Sequence, residues 1–206
     1  STGADLGVYR IDDEVLAHDP DLIFIEYAVN GGTAKAMEGM VLKTWKHDPT
    51  IDICFVYTTA MSNYSLYKSG ERTKYDKMYE NVAEHYDIPS VFFGNQVFDL
   101  YERGELVFSE EAEKTGKIVC TTDGTHHTAE GGNLAAGAIA RSIRNMEKSF
   151  NKNSYTIAKH KLPSKTYVQA PLTDAISTSD WSKMKFSGSW LDCSLTEEGS
   201  LKNFNY

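Results

Sequence analysis

The sequence is short of cysteine, of positive charge and of long apolar runs. Its three cysteines, Cys54, Cys120 and Cys193, are far apart and odd in number, so at least one stays unpaired in any disulfide scheme within one chain. Cys54 and Cys120 sit inside apolar, strand-like runs, which suits small buried hydrophobes better than metal ligands or redox pairs. Lys and Arg number 21 against 29 Asp and Glu, a formal net charge of -8. Such a balance repels phosphate backbones and anionic lipid surfaces, so nucleic acid is not an expected partner. No apolar run approaches the roughly 20 residues that a membrane-crossing helix needs, and no membrane partner is expected. No Gly-x-Ser-x-Gly elbow occurs either, which removes the commonest sequence sign of a serine nucleophile.

What is present suffices for one full domain core and a remainder: 206 residues, 41% hydrophobic and 24% charged. Residues 21–29, Asp-Leu-Ile-Phe-Ile-Glu-Tyr-Ala-Val, form a near-continuous apolar run, as expected of a parallel strand covered on both faces. Asn30-Gly31-Gly32 ends it, and Thr33 can cap a helix on which Met37, Val41 and Trp45 recur at helical spacing. The unit repeats. Residues 51–57 make a second buried strand, and a helix over about 75–86 carries Met78, Val82 and Tyr86. Residues 89–93 make a third, short strand; 97–101 a helix; 117–120 a weaker strand; and 129–146 a last helix with Ala135, Ile139 and Ile143 on one face. Strands alternating with helices predict an α/β domain, a three-layer sandwich on a parallel sheet, over residues 1–150.

After Phe150 the texture changes. Asn151-Lys152-Asn153-Ser154 reads as a polar joint, and residues 151–206 as the start of a β-rich module too short to be a complete sandwich. Tyr167, Trp181 and Trp190 in it could stack on sugars, or simply form its core. Residues 1–7, Ser-Thr-Gly-Ala-Asp-Leu-Gly, read as a turn-like stretch with no strand before them, and both ends are expected to be cuts through a longer product.

Two polar clusters fall where loops leave the carboxyl ends of parallel strands, the usual place for ligands in such sheets. Asn30 follows the strongest strand. Its carboxamide could aim an NH₂ at a developing oxyanion, or the residue could serve only as a turn former before two glycines. The second cluster is Thr121-Thr122-Asp123-Gly124-Thr125-His126-His127-Thr128. Asp three residues before His, with Gly between, allows a tight turn to bring the carboxylate to the imidazole Nδ1. That bond would fix the tautomer and leave Nε2 free as base and then acid. Asp-Gly is also a common turn, and Asp123 could cap the helix instead. A metal site of Asp123, His126 and His127 is disfavoured, because adjacent histidines rarely point the same way and no further ligand cluster lies near in sequence.

These residues carry a resemblance. Over roughly residues 3–147 the chain resembles the SGNH (GDSL-like) hydrolases, an esterase and lipase family of flavodoxin-like three-layer α/β/α fold whose named residues are Ser, Gly, Asn and His. The family's strand ending in Val-Asn-Asp matches Ala28-Val29-Asn30, and its late Asp-Gly-Val-His-Pro-Thr segment matches Asp123-Gly124-Thr125-His126-His127-Thr128. The resemblance implies that Asn30 is an oxyanion donor, His126 the general base and acid, and Asp123 its orienting carboxylate. Gly31 stands where the family has Asp, and His127 where it has Pro. The Gly-Asp-Ser turn that would carry the nucleophile is absent and is expected upstream of Ser1; Ser62 reads as an ordinary loop serine. The oxyanion glycine is Gly3 or lies upstream too.

The implied function is hydrolysis of small acyl esters through a serine ester, with no metal or cofactor, on substrates that include acetylated carbohydrates. The family's habit also implies an extracytoplasmic bacterial setting. A competing expectation, a non-catalytic carbohydrate-binding or scaffold protein on a hydrolase fold, follows from the missing nucleophile.

Overall fold

A computed structural model describes residues 2–109 and 116–149. The β-rich reading of residues 151–206, with Cys193 and the aromatic residues singled out there, lies outside the described residues.

The first element departs from the sequence reading. Where a turn-like stretch was expected, Ala4–Glu14 forms a helix, α1. Ala4, Val8 and Ile11 fall at spacings of four and three and are all buried, so a helical stripe was present in a segment whose small residues suggested a turn. The helix starts at Gly3 without a side-chain cap.

Three parallel strands follow in spatial order: β1 (Leu22–Ile25), β2 (Asp52–Tyr57) and β3 (Ser90–Phe92). Ile25 stands opposite Phe55, and Val56 opposite Val91. Helices separate them: α2 (Ala34–His47), a short α3 (Tyr64–Lys68) and α4 (Lys74–His85). Beyond β3 come α5 (Gly94–Glu102), a separate parallel pair of β4 (Leu106–Val107) and β5 (Ile118–Val119), and α6 (Ala129–Ser149). The parallel α/β architecture expected from the alternation is therefore present.

β2 shows how the layers form. Successive side chains of a strand point to opposite faces. Ile53, Phe55 and Tyr57 join a core with residues of α1, α2 and α4, including Val8, Met37, Val41 and Val82. Val56, between them, joins a second core with Val97 and Phe98 of α5 and Ala138 of α6. Helices thus cover both faces of the sheet at its centre.

At the edge the covering stops. β1 alternates exposed and buried, and Leu22 and Phe24 remain 42% and 44% exposed. The expectation that this strand is covered on both faces fails there, because the second core gathers on Val56 and Phe93 and does not reach across to β1. Of the stripe expected on α6, Ala135 and Ile139 pack on the second core while Ile143 is 41% exposed.

Caps fix the helix starts. Thr33 accepts from the Ala36 N–H at 3.2 Å. Thr73 and Asp76 form a reciprocal capping box on α4, satisfying two backbone donors at once.

Candidate active site

The loop after β5 is built to hold a turn. Thr121 is fully buried; its hydroxyl donates to the Phe108 carbonyl at 3.3 Å and accepts from the Gly124 N–H at 3.1 Å. Gly124 has φ of +86°, in the left-handed region that glycine enters without steric cost. Thr122 N–H donates to the His126 carbonyl and Thr121 pairs with His127 in an antiparallel bridge, closing the loop on itself. Thr128 then starts α6: its hydroxyl accepts from the Gly131 N–H at 3.1 Å and donates to the Val119 carbonyl.

On this loop Asp123 and His126 meet. Asp123 Oδ2 lies 2.6 Å from His126 Nδ1, while Oδ1 accepts from the backbone N–H groups of His126 at 2.8 Å and Thr125 at 2.9 Å. The His126 backbone N–H, the bond to its ring and the Thr125 N–H together hold the Asp123 carboxyl well below the usual carboxylate range. An ionised carboxylate only accepts, so in the neutral ring Nδ1 carries the proton and Nε2 the lone pair. The side chains are 52% and 71% exposed, open to a substrate from solvent.

His127 turns elsewhere. Its ring packs against Phe93 at 5.7 Å, and Nε2 is enclosed without a hydrogen-bond partner among the described residues. Burial pushes its pKa down, against the opposing pull of the Glu26 carboxylate. The two adjacent histidines therefore sit in different environments and do not converge.

Asn30 stands in the turn after β1, exposed, and its side chain makes no hydrogen bond among the described residues. The turn around it is packed closely. Gly31 has φ of +76°, its N–H donates to the Tyr27 carbonyl at 2.8 Å, and a Cβ on it would lie 2.6 Å from Tyr75 Cζ. The position where the resembling family carries Asp is thus filled by a tyrosine ring. On the other side, a Cβ on Gly3 would lie 2.9 Å from the Gly31 carbonyl oxygen and 3.4 Å from that of Asn30, and the Ala4 N–H donates to the Gly31 carbonyl at 2.9 Å. Gly3, one of the two options for the oxyanion glycine, is therefore Asn30's neighbour.

No hydrogen bond joins Asn30 directly to His126. The two loops are linked instead through Glu26 and Thr58, which the sequence reading passed over. Glu26 Oε1 accepts from the Ala28 N–H at 2.9 Å and from the Thr58 hydroxyl at 2.7 Å, and Met61 N–H donates to the Gly124 carbonyl at 2.8 Å. The signal that could have found Glu26 is a lone carboxylate closing an apolar strand. Ser62, next to Met61, is exposed on a short 3₁₀ turn and makes no hydrogen bond to His126.

Against known proteins, no family model matches this sequence, and no curated relative does. Among solved structures, the chain is similar to a two-domain esterase (CEX) active on acetylated mannans, at 21% identity and a TM-score of 0.60, covering 80% of this chain. The same esterase co-crystallised with mannopentaose matches at 20% identity and a TM-score of 0.58, over 77% of this chain. The chain spans only 40% and 39% of the length of those structures. At this identity the likeness concerns the fold: this parallel α/β arrangement is one that an esterase uses.

Proposed function

We propose that this chain carries the acid–base and oxyanion part of a serine-type, SGNH-like esterase that hydrolyses small acyl esters, acetyl groups on carbohydrate chains among them. The observation that supports this most is the 2.6 Å bond between Asp123 and His126 Nδ1, which leaves Nε2 free on an exposed ring. The solved acetylated-mannan esterase of the same fold supports the choice of substrate class.

In the proposed reaction, a serine hydroxyl contributed from outside residues 1–206 attacks the ester carbonyl. His126 Nε2 takes the hydroxyl proton as the tetrahedral intermediate forms, and Asp123 stabilises the imidazolium without becoming protonated itself. The Asn30 amide and the Gly3 N–H face the negative oxygen. His126 then passes its proton to the departing sugar hydroxyl, leaving an acyl-serine. Water, deprotonated by the same nitrogen, releases the carboxylic acid and restores the serine. The extracytoplasmic setting of the resembling family, where polymeric glycan is met, belongs to the same proposal.

The test is hydrolysis of p-nitrophenyl acetate and of acetylated mannan by the full-length gene product, beside His126→Ala and Asn30→Ala. Both variants are expected to lose ~10² or more in kcat, as for removal of a base or an oxyanion donor. A folded wild-type protein that binds glycan but releases no acetate from any acyl ester would instead be the carbohydrate-binding scaffold.

A further inference from the structure

We infer that Glu26 is a positioning residue that ties the Asn30 turn to the Asp123–His126 loop. The inference rests on the esterase reading for its catalytic consequence, although the tie itself is structural.

Glu26 is the first residue past β1, at the carboxyl edge of the sheet. A carboxylate at the end of an apolar strand is costly to bury unless donors surround it. Here one oxygen takes two. The Ala28 N–H at 2.9 Å bends the chain two residues before Asn30, and the Thr58 hydroxyl at 2.7 Å reaches across from the segment after β2. Three residues beyond Thr58, the Met61 N–H holds the Gly124 carbonyl at 2.8 Å, inside the loop that carries Asp123 and His126.

The connection therefore runs from the Asn30 turn to Glu26, to Thr58, along the chain to Met61, and on to Gly124. The Ala28–Glu26 bond is local, whereas Thr58–Glu26 and Met61–Gly124 join segments that leave the ends of different strands. One carboxyl oxygen that accepts both bonds joins the two segments at a single atom, so Glu26 is the central link in the series. Its work is distance: it sets how far the proposed oxyanion donor stands from the proposed base. Displacements of about 1 Å between such groups cost on the order of 10² in rate.

Glu26→Ala, Glu26→Gln and Thr58→Val in the full-length product test this. Glu26→Ala and Thr58→Val are expected to lower kcat on p-nitrophenyl acetate by ~10-fold or more with KM changed less than about 2-fold, because geometry and not binding is lost. Glu26→Gln should recover to within about 3-fold of wild type, since a carboxamide oxygen can accept both bonds. The double variant Glu26→Ala/Thr58→Val should be no worse than the poorer single one, as for two members of one link. A kcat for Glu26→Ala within about 2-fold of wild type, additive losses, or a Glu26→Gln variant as impaired as Glu26→Ala each overturn the inference. Amide exchange decides it independently of turnover. In Glu26→Ala the Ala28 and Met61 amides should exchange faster while those of Ile53 and Phe55 in β2 keep their protection; unchanged exchange at Ala28 and Met61 overturns the tie. A wild-type protein without esterase activity overturns the esterase reading, and the exchange result then stands alone.

Discussion

Asp123 holds His126 at two points, its Oδ1 on the backbone N–H at 2.8 Å and its Oδ2 on the ring Nδ1 at 2.6 Å. The first bond sets where the histidine backbone sits, and the second sets which ring nitrogen carries the proton. Asp123→Asn separates them. The carboxamide oxygen can keep the backbone bonds, but its NH₂ would face Nδ1 and drive the proton to Nε2. We expect a folded variant whose kcat for acetyl ester hydrolysis falls by ~10³ or more, as for an imidazole held in the wrong tautomer. Steady-state kinetics beside a circular dichroism spectrum check it, and activity within 10-fold of wild type would count against Asp123 as the orienting group.

Gly31→Asp would introduce the residue that the resembling family carries and should nevertheless destabilise this protein. The backbone there has φ of +76° and Tyr75 stands where a side chain would grow. Strain of this kind costs about 1–3 kcal/mol. Adding Tyr75→Ala should recover part of the loss by removing the clash but not the left-handed backbone. Urea unfolding of Gly31→Asp, Tyr75→Ala and the double variant measures both shares.

His127 should make stability fall in mild acid. Burial lowers its pKa in the folded state, with Glu26 pulling the other way, so the unfolded chain binds the proton more readily. The contribution is complete above the unfolded value near pH ~6.5. It is lost as pH falls from there through the lower folded value. His127→Gln should flatten that part of the stability–pH curve, and a curve of unchanged slope would show that the ring titrates alike in both states.

Cys54 and Cys120 should resist alkylation in the native protein. Both are buried, and burial pushes each thiol up to about 11, so little thiolate forms near neutral pH. Iodoacetamide at pH 8 followed by mass spectrometry should find both unlabelled until denaturant is added. Rapid labelling of either in the folded protein would contradict its burial.

Thr73→Ala should remove half of the capping box that starts α4 and cost about 1 kcal/mol. Thermal unfolding reads the loss, and Thr73→Ser should restore most of it.

Much of the fold was legible because it rests on local periodicity. The runs that became β2 and β3, the Thr33 cap and the stripe of Met37 and Val41 appear in the structure at nearly the positions where the sequence puts them. α1 was not legible, since Gly3, Ala4 and Gly7 suggest a turn, and only packing on the sheet selects the helix. The short β4 was missed because two residues carry no period of their own and pair only once β5 is beside them.

The same division runs through the candidate site. Asp123-Gly124-Thr125-His126 is local, so residue types and spacing alone determine that carboxylate and imidazole can meet. Which neighbour accompanies Asn30 is not local: Gly3 reaches it only because α1 begins against the Asn30–Gly31 turn. Nor could one strand's sequence say that Glu26 would bond to Thr58, since those residues are 32 apart in sequence and become neighbours only when β1 and β2 pair in register. The sequence by itself determined most of the elements and the meeting of Asp123 with His126, because both depend on interactions within a few residues. The tertiary structure decided how the Asn30 turn is held relative to those two residues, because that distance depends on contacts between strands.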